Sequence, residues 1–267
     1  MKPNNHAIAA LAFAGLALLA GCAAPPVHKD PRDPFERINR TVFRFDDVVA
    51  KDVAVPVGHA YEKVVPTFAR AGVANFFDNL HMPGIMVNDV LQWKLKAGIT
   101  DFGRFLMNTV VGIGGLFDPA TSAGLAKNSN DFGRTLGTWG LPPGPFIMLP
   151  LLGPSDLRDT IGMVPDSYMN PQHYINSRRQ AGLYYGLYGL NVINTIEVDL
   201  IPAYNLLNSQ NVFDRYAFAR NAYLQRRQFL ITGQAGGVSQ DELDLEKSLQ
   251  DDADTPATPA PQNPQPH

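Results

Sequence analysis

Asp33-Pro-Phe-Glu-Arg-Ile-Asn-Arg-Thr-Val-Phe-Arg-Phe-Asp-Asp-Val-Val49 is the stretch that sets the fold class. Asp33 offers an N-cap carboxylate, Pro34 stands where a missing N–H costs nothing, and Glu36 stands at the third helical position, so a helix is expected to start here. Phe35, Ile38, Val42, Phe45 and Val49 then recur at spacings of three and four, which is the single stripe of an amphipathic helix. The same period predicts helices at about 69–80, 84–94, 96–110, 132–139, 155–163, 177–195 and 214–231. No alternating strand pattern of useful length competes, and the domain is expected to be all-α. Pro56, Pro66, Pro83, Pro119, Pro142, Pro143, Pro145, Pro150 and Pro154 interrupt the helical segments, which argues against a simple up-and-down bundle. Gly233 is expected to close the last helix.

Before this helix the chain carries Lys2, an apolar run from Ala7 to Ala20, and then the lone cysteine in Leu19-Ala-Gly-Cys22. The run is short for a transmembrane helix and ends in small residues, so 1–21 reads as a signal peptide. The Leu-Ala-Gly-Cys segment resembles the lipobox of bacterial lipoproteins, which makes Cys22 the expected acylation site and first mature residue. Two or more acyl chains hold a protein on a bilayer almost permanently. Ala23, rather than Asp, follows the cysteine, and in the lipoprotein pattern that favours the outer membrane. Residues 22–32, with Pro25 and Pro26, read as a tether; 33–233 read as the folded domain; and 234–267 read as an acidic, proline-rich tail expected to be disordered. Asp241 to His267 holds seven acidic residues against Lys247. Setting aside that −6 and Lys2, the overall −3 becomes about +2 for Cys22 to Gln240, without the basic excess that nucleic-acid binding needs.

The uncharged stretch Gly140-Leu-Pro-Pro-Gly-Pro-Phe-Ile-Met-Leu-Pro-Leu-Leu-Gly-Pro154 cannot form a regular helix. Its Phe146, Ile147, Met148, Leu149, Leu151 and Leu152 read either as a buried crossing loop or as a rigid apolar hairpin facing lipid or a lipid path. A second apolar region, Val110-Val-Gly-Ile-Gly-Gly-Leu-Phe117, lacks both phosphate-loop patterns, and its glycines are expected to serve tight helix contacts. Gly182, Gly186 and Gly189 are read in the same way. Phe76, Phe77, Trp93, Tyr184, Tyr185 and Tyr188 suit either an interfacial collar or a core.

Motifs for hydrolysis are missing from the sequence, and the mature histidines at 28, 59, 81, 173 and 267 are far apart. Ser155 and Asp156 read as a helix cap and first-turn carboxylate, and Arg158 and Asp159 as partners for other segments. No enzyme activity, metal or cofactor is expected.

Further motifs follow in order along the chain: Asp33-Pro34 with Glu36, Asn39-Arg40 and Phe43-Arg-Phe45; then Arg70, Asn75-Phe76, Asn79-Leu80, Pro83, Asn88 and Leu91-Gln92. Arg104-Phe105, Asn108 and Gly112-Ile-Gly-Gly-Leu-Phe-Asp118 come next. Asp131-Phe-Gly133, Thr135-Leu-Gly137, Trp139-Gly140, Gly144-Pro145, Leu149-Pro-Leu-Leu-Gly-Pro-Ser155, Arg158-Asp159 and Gly162 complete the set. In this order they resemble the MlaA (VacJ) family. Asp46 and Val48-Val49 depart from it, as does Leu141-Pro142-Pro143. The resemblance implies an irregular ring of proline- and glycine-broken amphipathic helices embedded in the periplasmic leaflet of the outer membrane. It also implies binding to a trimeric porin and passage of mislocalised outer-leaflet phospholipid to a soluble periplasmic carrier. A porin-associated structural lipoprotein and a phospholipid hydrolase are the competing readings.

Overall fold

The structure, a computed structural model, describes residues 30–175, 180–209 and 212–233. The expected signal peptide, Cys22, residues 22–29 of the tether, Ser177 and the tail from 234 lie outside the described residues, as do His28 and His267. Helix α1 (Glu36–Val49) runs without a break through a π-helical segment (Ala50–Ala54) into α2 (Val55–Val64). Next come α3 (Thr67–Leu91), α4 (Leu95–Val110), a short α5 (Pro119–Ser122) and α6 (Phe132–Thr138). Strands β1 (Phe146–Leu149) and β2 (Gly153–Asp156) precede α7 (Leu157–Met169) and a 3₁₀ turn (Pro171–Tyr174). Helix α8 (Ala181–Thr195), a second π segment (Ile196–Leu200), α9 (Ile201–Leu207) and α10 (Arg215–Thr232) finish the described chain. One compact unit runs to Leu224; of the unit that starts at Gln225, the described part is the end of α10, closed by left-handed Gly233 with its N–H on the Phe229 carbonyl at 2.8 Å.

The all-α expectation stands, with one correction: the Gly140–Pro154 stretch supplies a two-stranded antiparallel ribbon pairing Phe146 with Asp156 and Leu149 with Gly153. Prolines also interrupt less than expected. Pro56 and Pro202 each lie two residues beyond a π segment and in the first turn of the helix that follows. A proline cannot donate to the carbonyl four residues back and its ring crowds it, and the wider π turn relieves that crowding while the helix continues. Helix α3 runs straight through Pro83, at a cost of about 3 kcal/mol in an isolated helix. Tertiary bonds on either side offset that cost: Asn79 donates to the Thr109 hydroxyl at 3.0 Å, and Asn88 accepts from the Thr135 hydroxyl at 2.7 Å.

Asp33 is not the cap of α1; the helix starts after Phe35 with no side-chain cap, and the Asp33 carboxylate is buried among tertiary partners. Ordered bonds reach back to Asp30, whose carbonyl accepts from the Asp33 N–H at 3.0 Å, so the body begins three residues before Asp33. At the other boundary, Ser155 belongs to β2, and Asp156 rather than Ser155 caps α7 by accepting from the Asp159 N–H at 2.8 Å.

Packing is inverted with respect to a water-soluble domain. Among the described residues, nine apolar side chains are buried, against seventeen polar or charged ones. Helix α1 buries Glu36 and Asn39 and turns Phe35, Ile38 and Phe45 outward. Helix α4 buries Gly98, Asp101, Arg104 and Asn108, while Leu95, Ile99, Phe102, Leu106 and Val110 line its exposed face. The spacing of three and four is therefore present in both helices, but most of its apolar side faces out; of the α1 stripe only Val42 packs against the Phe146 core, and Val49 is half-buried.

Candidate functional site

The ribbon is held from its base by one asparagine. Asn39, on the buried face of α1, donates to the Phe146 carbonyl at 3.0 Å and accepts from the Met148 N–H at 2.9 Å, so its amide pairs with β1 as another strand would. Its Nδ2 also donates to Asp33 Oδ1 at 2.8 Å. Asp33 Oδ2 accepts from Arg220 at 3.2 Å and from the Tyr216 hydroxyl. Burial and the Asp33 carboxylate push the Tyr216 hydroxyl well above its ordinary range, which keeps it protonated and a donor. Phe146 meets Tyr216 and Tyr223 edge-on at 6.2 and 6.0 Å between ring centres, closing an apolar layer over this polar base.

At the far edge of the ribbon, Arg158 donates to Asp159 at 2.9 Å and to Asp156 at 3.3 Å, and the Tyr223 hydroxyl donates to Asp159 at 2.6 Å. Arg158 and Asp159 thus pair with each other, and Asp159 also with α10. The tip is fixed separately: Asp46 on α1 accepts from the Leu151 N–H at 2.9 Å. Burial raises the Asp46 carboxyl against the lowering effect of that bond.

Of the six apolar residues singled out in this stretch, Phe146 and Met148 are core, Ile147 and Leu149 are half-buried, and Leu151 and Leu152 stand out from the tip. The two readings of the stretch therefore divide along its length: its base is buried and its tip is exposed.

A second polar framework joins α3, α4 and α6. Asn128 donates to both Asp89 and Asp101, Asn130 donates to Asp89 at 2.7 Å, and Gln92 donates to the Thr135 hydroxyl at 2.8 Å. Burial and the facing Asp89 raise the Asp101 carboxyl to about 6. Arg104 donates to Asp118 at 2.9 Å. Burial would raise the Asp118 carboxyl, but its bonds from Thr121, Asn108 and Arg104 outweigh this and hold it at about 2.

These networks had no local signal in the sequence, because their members lie up to 187 residues apart. A shallow cleft of about 160 Å³, lined by Phe76, Asn79, Leu80, Phe105 and Thr109 among others, opens between α3 and α4. No cluster of three or more potential metal ligands occurs among the described residues.

The glycine expectations divide as well. A Cβ on Gly115 would lie 2.6 Å from Asn79, and one on Gly112 would collide with the Asn108 and Phe117 carbonyls, so that turn is closely packed. Gly182, Gly186 and Gly189 face open space, and the tight-contact reading is wrong for them. Phe77 is core and Phe76 half-buried, whereas Trp93, Tyr185 and Tyr188 are exposed.

The family model described as MlaA lipoprotein matches residues 31–230. The intermembrane phospholipid transport system lipoprotein MlaA of Escherichia coli (strain K12) is 34% identical over 250 residues, covering 92% of this chain and 96% of that protein. The protein of the same name from Haemophilus influenzae (strain ATCC 51907 / DSM 11121 / KW20 / Rd) is 31% identical over 222 residues, covering 80% and 86%. A solved structure described as the structural basis for maintenance of bacterial outer membrane lipid asymmetry superposes with a TM-score of 0.64 at 36% identity, covering 75% of this chain and 99% of that one. With a polar interior, an outward apolar surface and a match over most of its length, the chain belongs to the MlaA lipoprotein family.

Proposed function

We propose that the protein is an outer-membrane lipoprotein, acylated at Cys22 and seated in the periplasmic leaflet, that removes mislocalised phospholipid from the outer leaflet without a chemical reaction. It passes the lipid to a soluble periplasmic carrier and works beside a trimeric porin, and lipid asymmetry is maintained as a result. The inverted packing carries this reading. Apolar stripes on α1 and α4 face outward over buried Asn39, Asp101, Arg104 and Asn108. Such a body is matched to hydrocarbon outside and to polar groups inside, which are the two environments a phospholipid's tails and head group need. No described helix is long and apolar enough to cross a membrane, in keeping with a protein that lies in one leaflet. In this arrangement Leu151 and Leu152 are the membrane-facing residues of the ribbon, and Phe146 and Met148 hold its base.

The test is a deletion strain, in which surface-exposed phospholipid and sensitivity to detergent with chelator should both rise and should both return to normal with the restored gene. Unchanged surface lipid would refute transport and leave the structural lipoprotein. Purified protein should leave labelled phospholipid intact, since release of fatty acid or lysolipid would instead identify a hydrolase. Cys22→Ala should lose outer-membrane location and restore asymmetry poorly.

A further inference from the structure

Ten described residues have left-handed backbone, and seven of them are glycine, the residue that adopts it without steric cost. The other three are Trp93, Ile113 and Leu151, at φ 59°, 54° and 64°. None is Asn or Asp, the residues that tolerate this region best after glycine. All three are large and apolar, and they are exposed at 84%, 66% and 66%. Such a conformation disfavours a bulky or β-branched side chain by roughly ten-fold in population relative to glycine.

Glycine is also close by in the sequence. Ile113 stands between Gly112 and the left-handed Gly114 and Gly115, and Leu151 lies two residues before left-handed Gly153. Backbone bonds hold these turns in shape, from the Lys94 N–H to the Asp89 carbonyl at 2.9 Å, from the Gly114 N–H to the Thr109 carbonyl at 2.8 Å and from the Leu151 N–H to Asp46 at 2.9 Å, but glycine would allow the same bonds without the steric cost, and the three exposed side chains add nothing inside the molecule. A bulky side chain kept where glycine would serve the fold better is a feature of sites that engage something else.

We infer that Trp93, Ile113 and Leu151 are strained bilayer anchors: turn-tip side chains held in left-handed backbone so that they enter the acyl layer and fix the depth of the body. This rests on the membrane-seated reading above. Trp93 and Ile113 lie beyond the two ends of α4, a helix of sixteen residues about 24 Å long, and the outward stripe Leu95, Ile99, Phe102, Leu106 and Val110 runs between them. Helix α4 therefore lies along the leaflet with a pin at each end. The third anchor is tied to the tether, because the Phe146 N–H at the base of the ribbon donates to the Arg32 carbonyl at 2.8 Å. Eight residues, Cys22 to Lys29, separate the acylation site from Asp30 and span at most about 30 Å. The base of the ribbon is thus within reach of the bilayer to which Cys22 is joined, and the tip lies only one four-residue strand, roughly 14 Å, beyond it.

The full-length acylated protein contains two tryptophans, so Trp139→Phe leaves Trp93 as the single fluorophore. Adding Trp93→Phe together with either Ile113→Trp or Leu151→Trp moves that fluorophore to the other two positions. In vesicles of phosphatidylethanolamine and phosphatidylglycerol, brominated acyl chains should quench all three positions and aqueous iodide should quench them little. Quenching by iodide without quenching by bromine would overturn the inference, even if phospholipid transport were intact.

A second measurement separates anchoring from folding. In a Cys22→Ala background, replacing the three residues with glycine should leave the unfolding midpoint unchanged or raised, while vesicle affinity falls about ten-fold for each residue. Unchanged vesicle affinity would refute the anchors. Loss of transport with normal quenching would count against the transport reading alone.

Discussion

Asn39→Ala should remove a large share of the protein's stability. The side chain is 2% exposed and makes three hydrogen bonds, of 2.8, 3.0 and 2.9 Å, to Asp33, Phe146 and Met148. Truncation leaves a strand carbonyl, a strand N–H and a carboxylate oxygen each one partner short. A buried group without its partner costs about 1–3 kcal/mol, and the space left by the amide admits at most a water or two to reduce that, so the expected loss is about 3–5 kcal/mol. Domains of this size have about 5–15 kcal/mol in total. The measurement is a urea titration of the full-length protein in detergent micelles, followed by the near-ultraviolet dichroism of the Phe146–Tyr216–Tyr223 cluster. Asn39→Asp supplies a second check. It keeps the shape but sets an oxygen against Asp33 Oδ1 and the Phe146 carbonyl, so the new carboxyl has a raised pKa and its deficit should shrink as the pH falls. Thr41→Ala on the same helix, where the hydroxyl makes only exposed local bonds, donating to the Arg37 carbonyl at 2.9 Å and accepting from Arg44 at 3.4 Å, should change stability by less than about 0.5 kcal/mol. A loss below about 1 kcal/mol for Asn39→Ala would refute the role of this residue as the ribbon's clamp.

Two other glycines and one carboxylate give further outcomes. Gly162→Ala should destabilise by several kcal/mol despite the helix propensity of alanine, because its Cβ would lie 2.6 Å from the Gly133 nitrogen and 2.9 Å from the Gly133 Cα, which are backbone atoms that cannot turn aside. Gly58→Ala should cost less, about 1–2 kcal/mol, since its Cβ meets side-chain rather than backbone atoms, the Cδ1 end of Ile201 and the Cγ2 methyl of Ile196; equal losses in thermal melts would contradict this. Asp101→Asn should stabilise at pH 7.5 and be neutral near pH 3. The fold raises this carboxyl from 3.8 to about 6, so the folded state binds the proton more tightly and stability falls as pH rises through that window. Ionisation there corresponds to on the order of 3 kcal/mol before screening, and screening by solvent leaves a gain of about 1–2 kcal/mol for the amide. A gain that is largest at low pH would reverse the sign and exclude the explanation.

Helical periods in the sequence located α1, α4 and α10 well, because a stripe every three or four residues is a local property. The side on which the stripe faces is not local. Period alone cannot distinguish a helix that buries Ile38 and Phe45 from one that buries Glu36 and Asn39, and the second is what occurs. Asp33 shows the same limit: its position before Pro34 and Glu36 fits a cap, yet Tyr216 and Arg220, 183 and 187 residues later, take the carboxylate. Helices α2 and α9 have no counterpart among the expected segments, since Pro56 reads as an interruption and no helical stripe marks the chain around Pro202, whereas a π segment before each proline lets the helix pass. In the Gly140–Pro154 stretch, proline and glycine excluded a helix, but the strand pairing depends on Asn39, 107 residues away.

The polar interior also governs how the protein responds to temperature. Unfolding exposes apolar surface, which raises the heat capacity, and polar surface, which lowers it. A body whose buried side chains are mostly Asn, Asp, Arg, Gln and Thr, and whose apolar side chains already face outward, exposes little new apolar area when it opens. Its heat-capacity change should fall below the usual 12–15 cal/mol/K per residue, roughly, and its stability curve should be correspondingly flat. Cold would then weaken it little, and an envelope protein held by directional bonds would keep its shape across the range of temperatures its bacterium meets.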